Sequence, residues 1–280
     1  MDEKKDILYK LQHIDARIIH FLIALLILLP LINPIGLPLQ ISDGTRAAYD
    51  AIDAIPPGAM VLLAYEVAAS SEAELVPTGV AWMHHLMAKG CKIVTFAIYN
   101  QEGPVYAQRI FDTVGKEYNY EYGVDYMIMG FTAGQETAVA AIGRDFRSVF
   151  EQDFLGNVTA DLPLMQAIVD FNSFDILLQI SNWGPDVFVR QMVQVYGIPM
   201  VACCTGIVAP GAQAYMSSGQ IQGLVGALAG AAEYEILLKR PGTAAAAMDA
   251  QSTTHALVVV LVLIGNVAFF MSRSRTKGGN

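Results

Sequence analysis

Between two apolar ends, the hydrophobic positions of this chain recur in one rhythm. Short, almost unbroken runs of β-branched and apolar residues at 60–67, 92–98, 125–129, 176–180 and 199–204 are each followed by a turn and a longer amphipathic stretch. Runs without polar alternation mark strands covered by helices on both faces, as in a parallel sheet. The stretches between them predict helices over 74–89, 104–118, 135–150, 185–196 and 219–238. A further helix over 43–54 precedes the first strand, with Ser42 as its N-cap and Pro56-Pro57-Gly58 as its stop.

Five repeats of this alternation predict an α/β fold, a doubly wound, mainly parallel five-stranded sheet with right-handed crossovers. The pattern resembles flavodoxin-like and Rossmann-like sheets, and a fold pattern carries no function by itself. Segments 151–162 and 206–218 break the rhythm and are expected as loops or short helices. The first contains Asn157-Val158-Thr159, a three-residue glycosylation pattern of a kind that arises by chance.

The ends read as membrane anchors. Residues 18–39 contain no charge, although His20, Pro30, Asn33, Pro34, Gly36 and Pro38 interrupt them, and a span needs about 20 apolar residues. Residues 256–271 are apolar and are followed by Arg273, Arg275 and Lys277, as a stop sequence is. The expected division is a segment 1–17, a transmembrane helix 18–40, an α/β domain 41–242, an Ala-rich stalk 243–253, a second transmembrane helix 254–272 and a tail 273–280. Lys4, Lys5, Lys10 and Arg17 flank the first anchor, and the tail adds three cations. By the positive-inside bias both termini are cytoplasmic and the domain is extracytoplasmic.

Composition narrows the partners. With 54% hydrophobic and 15% charged residues, the chain is too apolar for disorder. Over residues 41–253, 10 Lys and Arg against 22 Asp and Glu leave a net charge of −12, which repels nucleic acid phosphates. The lipid bilayer is then the expected partner, together with a second copy of the chain or another component of a membrane complex. Cys91, Cys203 and Cys204 form no disulfide framework and lie in apolar runs, so buried thiols are expected. Adjacent Cys203 and Cys204 point to opposite faces of a strand, which keeps them from sharing one metal.

In an open α/β sheet, ligands bind beyond the carboxyl ends of the strands. The candidates there are Glu66 after the first strand and Asn100 after the second. The third turn, from Gly130 to Gly134, adds Gln135 and Glu136. Ser181, Asn182 and Trp183 follow the fourth strand, and Thr205 the fifth. The third turn has neither the Gly-x-Gly-x-x-Gly spacing of a dinucleotide site nor the Lys and Ser/Thr of a P-loop. Glu72, Glu74, Glu102, Glu136 and Asp186 occupy first helical turns, where they complement the dipoles and repel an anion. Ser71 to Glu74 also has the form of a capping box. No cofactor is expected except that convergence of Glu66, Glu102 and Glu136 on the crevice would admit a divalent cation, or a polyol or amine, through their oxygens. His84 and His85 lie inside a helix with no nucleophile elbow near them.

In the helix expected over 219–238, Gly219, Gly223, Gly226 and Gly230 form a small-residue stripe. Such a stripe admits a close neighbour, either the domain's own sheet or another subunit. These features favour a membrane-tethered, non-catalytic domain that binds a ligand or serves as an assembly part. An extracytoplasmic enzyme working through strand-end carboxylates, with or without a divalent metal, is the alternative.

Overall fold

The computed structural model describes residues 14–277, so Lys4, Lys5 and Lys10 lie outside the described residues. The chain divides into two compact units: Leu39–Ala244, and the described residues up to Pro38 together with those from Ala245 on. In the first unit a six-stranded, entirely parallel sheet runs in the order β3-β2-β1-β4-β5-β6. Its strands are β1 (Met60–Glu66), β2 (Lys92–Ala97), β3 (Tyr126–Phe131), β4 (Ile176–Ser181), β5 (Met200–Cys204) and β6 (Gly223–Gly226). This is the Rossmann-like order, which reverses direction between β1 and β4.

Strand residues alternate between two cores, one on each face. One core holds Val61, Leu63, Tyr65, Ile93, Leu178, Val201 and Cys203. Against it pack α2 (Asp43–Ala54), α3 (Glu72–Ala88), α4 (Gly103–Ile110) and α8 (Ala227–Leu237). The other core holds Leu62, Ala64, Val94, Phe96, Leu177, Ala202 and Cys204. It is covered by α5 (Glu136–Arg144) and α7 (Ala209–Ser217), and by α6, which runs from Asp186–Phe188 through a π turn at Val189–Val193 to Gln194–Tyr196. The alternation places Cys203 and Cys204 on opposite faces, as the strand period requires.

Several elements differ from the sequence expectation. The sheet has six strands rather than five, because Gly223–Gly226 is a strand instead of part of a helix. Val201 and Gly223 are partners in the β5–β6 ladder. A Cβ at Gly223 would collide with the backbone of Ala48, so the missing side chain is what lets α2 lie directly on β6. The four glycines therefore do not share a helical face: Gly219 is a left-handed turn at φ 74°, Gly223 and Gly226 are in β6, and Gly230 alone is helical. Gly230 faces Val225 and Thr45 of its own unit. The helix expected over 135–150 breaks at Asp145, whose extended backbone (φ −152°) lets its carboxylate accept from Ser148 N–H and cap a new turn, Phe146–Val149. Ser42 caps α2 as expected, its hydroxyl accepting from Thr45 N–H at 3.3 Å.

The second unit bears on the anchor assignment. Its first helix, α1 (Ala16–Ile32), has 17 residues and stops where Asn33, before Pro34, turns extended. At 1.5 Å per residue that is about 26 Å against a hydrocarbon core of about 30 Å, so α1 is a shorter apolar helix and a full span over 18–40 is not shown among the described residues. The other helix, α9 (Thr243–Lys277), merges the expected stalk and second span into one element, since the Ala-rich run has high helix propensity. Among the described residues, its segment Thr243–Met271 is the one helix long and apolar enough to cross a membrane. Asp249 of α9 is buried, and its carboxylate accepts from the N–H groups of Ile35 (2.8 Å), Gly36 (2.8 Å) and Leu37 (3.0 Å). Thr253 Oγ1 donates to the Leu26 carbonyl at 3.1 Å.

Candidate functional site

The carboxyl edge at the β1/β4 reversal is where the candidate side chains gather. Glu66 ends β1 paired with Ser181 in the ladder and is fully buried. Its carboxylate receives three successive amides of the β2 turn: Ile98 N–H on Oε1 at 2.5 Å, and Tyr99 and Asn100 N–H on Oε2 at 2.9 and 3.0 Å. Burial raises its pKa to about 7, against the pull of those N–H donors in the other direction. Asn100 Nδ2 then donates both to the Glu66 carbonyl and to Asn182 Oδ1, each at 2.8 Å. One hydrogen-bonded chain thus links the turns after β1, β2 and β4 across the reversal point.

The residues next to Asn100 and Asn182 in the chain form an aromatic pair. Trp183 stacks on Tyr99 with centroids 5.3 Å apart and planes 18° from parallel, and the residue is 51% exposed. Its loop is braced from three directions. Trp183 N–H donates to Ser181 Oγ at 2.9 Å, and its carbonyl accepts from Gln179 Nε2 at 3.4 Å and Cys204 Sγ at 3.8 Å. Gln179 Nε2 also reaches the Gly184 carbonyl, while its Oε1 is buried with no hydrogen-bond partner. The Tyr99 hydroxyl is pushed up to about 12, first by burial and then by the carboxylates of Asp186, Glu66 and Glu136, which outweigh Arg190.

The remaining candidates are spent on structure. Arg190 Nε and Nη2 donate to Glu136 at 3.0 and 3.2 Å and Nη1 to Asp186 at 3.2 Å, while Gln191 Nε2 adds a bond to Glu136 at 2.9 Å. Arg190 holds the Glu136 carboxyl below its ordinary range. Gly130 lies within β3, and Gly134 and Gln135, at φ 118° and 45°, make the sharp entry to α5. Thr205 is buried, and its carbonyl accepts from the N–H groups of Val208 and Ala209. The capping box at Ser71 is not formed: Ser71 Oγ bonds Ala68, and Glu74 Oε2 instead accepts from Gly206 N–H at 2.9 Å. Glu102 Oε2 accepts from Ala69 N–H at 2.6 Å. Glu66, Glu102 and Glu136 therefore serve three separate sets of donors, and no group of three or more His, Cys, Asp or Glu among the described residues could hold a metal ion.

Other parts of the unit add less chemistry. A concavity of about 400 Å³ beyond β5 and β6 is lined by Ser42, Gly206, Pro210, Gln213 and Gly226, but Ser42 already donates to Glu233 at 2.6 Å. His84 and His85 are buried in α3, where His85 bonds the Tyr234 hydroxyl at 2.8 Å and Asp53 at 3.3 Å.

Turn position in the sequence singled out Glu66, Asn100, Ser181, Asn182 and Trp183, and these are the residues that come together. It missed Tyr99, Gln179 and Arg190. Gln179 was the visible signal, a polar residue inside the apolar strand Ile-Leu-Leu-Gln-Ile-Ser. Comparison with family models, curated proteins and solved structures gives no significant match to this chain.

Proposed function

We propose that this chain is a membrane-tethered binding protein whose α/β unit lies outside the cytoplasm and takes a small ligand at the β1/β4 carboxyl edge. The observation that carries this reading is the braced, half-exposed Trp183 next to Asn182 in a bonded network with Glu66 and Asn100. A rigid aromatic surface beside satisfied polar groups, at a topological switch point, is where such sheets hold ligands. The enzymatic alternative has less support, because its carboxylates are committed to backbone amides and to Arg190.

Tethering rests on the exposed apolar side chains of α9, among them Val259, Leu263 and Phe270. Leu26 faces Thr253, and residues 35–37 face Asp249, so rising numbers on one side meet falling numbers on the other. That pairing supports an antiparallel arrangement with both ends on one side of the bilayer.

Hydrogen exchange tests the binding site. Incubation with the small-molecule fraction of the source cells is expected to slow exchange at 98–102 and 181–185, and protection confined to other segments would refute the assignment. Orientation is tested at exposed Ser218, since the native cysteines are buried. A Ser218→Cys variant is expected to react with a membrane-impermeant maleimide on intact cells. Labelling seen only after permeabilisation would reverse the topology.

A further inference from the structure

Building on that site, we propose that the outer face of Trp183 receives an organic cation, a quaternary ammonium or protonated amine group. Geometry favours this face. One face of the indole lies on Tyr99 and its loop is held by Ser181, Gln179 and Cys204, so the open face is rigid before any ligand arrives. Preorganised aromatic faces lose little freedom on binding.

Charge points the same way. Asp186 and Glu136 act on the Tyr99 hydroxyl from nearby, and among the described residues the guanidinium acting there, Arg190, is paired with both, two carboxylates to one cation. An anionic ligand meets an excess of carboxylate there. A positive group finds an aromatic face whose quadrupole and whose surroundings both attract it.

Hydrogen bonding separates a cation from a neutral polar ring such as a sugar. Sugar hydroxyls need unoccupied donors and acceptors beside the stacking face. Here the Asn100 and Asn182 amides bond each other, Glu66 is filled by three N–H groups, and the Gln179 amide nitrogen is bound to the Trp183 and Gly184 carbonyls. An alkylammonium group requires none of these.

The chain has two tryptophans, and Trp82 is fully buried, so ligand-dependent fluorescence reports on Trp183. The full chain in detergent is titrated, at matched ionic strength, with choline and with its uncharged isostere in which carbon replaces the quaternary nitrogen. Choline is expected to give a saturable change, with the isostere about tenfold weaker. By calorimetry, Trp183→Leu is expected to abolish choline binding. Glu136→Gln, which leaves the indole in place and frees part of Arg190, is expected to weaken it severalfold. Equal affinity for choline and the isostere, or binding of methyl glucoside alone, would overturn the cation while leaving the β1/β4 edge a binding site. Absence of any choline response also overturns it, whereas the hydrogen-exchange experiment above decides the site itself.

Discussion

At the scale of single residues, the edge of this sheet is held by carboxylates that accept backbone amides at a distance in sequence. Glu66 is the most consequential, because its folded pKa of about 7 lies above the ordinary value of 4.5. Between those values the folded chain keeps a proton that the unfolded chain releases, so this group's contribution to stability is full below about pH 4.5 and is lost as pH rises through 7. The shift corresponds to a contribution on the order of 3 kcal/mol. Burial lowers the pKa of His84 and His85, which act with the opposite sign, losing stability as pH falls below their ordinary range. The difference between wild type and Glu66→Gln isolates the carboxyl: melting temperatures from pH 5 to 8 are expected to show a falling component that the variant lacks. Gly103 is a second sensitive point, since a Cβ there would strike the Tyr65 carbonyl. Gly103→Ala is expected to cost about 1–3 kcal/mol in denaturant unfolding. Of the site, the sequence exposed the residues that turn position selects, such as Glu66 and Trp183. Tyr99 and Arg190 stayed hidden because their roles depend on partners far along the chain, which no local pattern encodes.

At the scale of elements, five strands were readable because each is a dense apolar run, whereas β6 was not. Gly-Leu-Val-Gly has only two apolar side chains, and its glycines fall at helical spacing with Gly230, so spacing alone favoured a helix. What decides the strand is a contact with α2 that a single sequence does not reveal. The π turns in α4's continuation (Phe111–Gly115) and in α6 were equally unreadable, since they change hydrogen bonding without changing apolar content. The short α1 was readable in part, Asn33-Pro34 being a stop signal inside the apolar run. Asp249 is the element-scale surprise, a carboxylate near the start of a long apolar helix that answers three backbone amides. Asp249→Ala leaves those donors without an acceptor, at about 1–3 kcal/mol for a buried group. Hydrogen exchange in detergent is expected to speed by at least about tenfold at Ile35, Gly36 and Leu37, with the β1–β4 ladder unchanged.

At the scale of the whole molecule, the proposed membrane attachment rests on one described helix of sufficient length. The double variant Val260→Lys with Leu263→Lys places two charges in the apolar part of α9, at about 2.5–3.5 kcal/mol each by insertion scales. It is expected to shift the chain from the carbonate-resistant membrane fraction towards the wash, and full retention would mean that α1 anchors it unaided. The two-faced sheet has one more consequence. Cys203 belongs to the core under α2, α3 and α8, and its neighbour Cys204 to the core under α6 and α7. Adjacent thiols are thus sentinels for different layers. With Cys91 replaced and one thiol kept at a time, their reaction rates with a small disulfide reagent compare the opening of the two layers. Equal rates describe a sheet that sheds both coverings in one cooperative event. Faster reaction at Cys204 would mean that the layer beneath the Trp183 loop opens while the opposite layer stays closed.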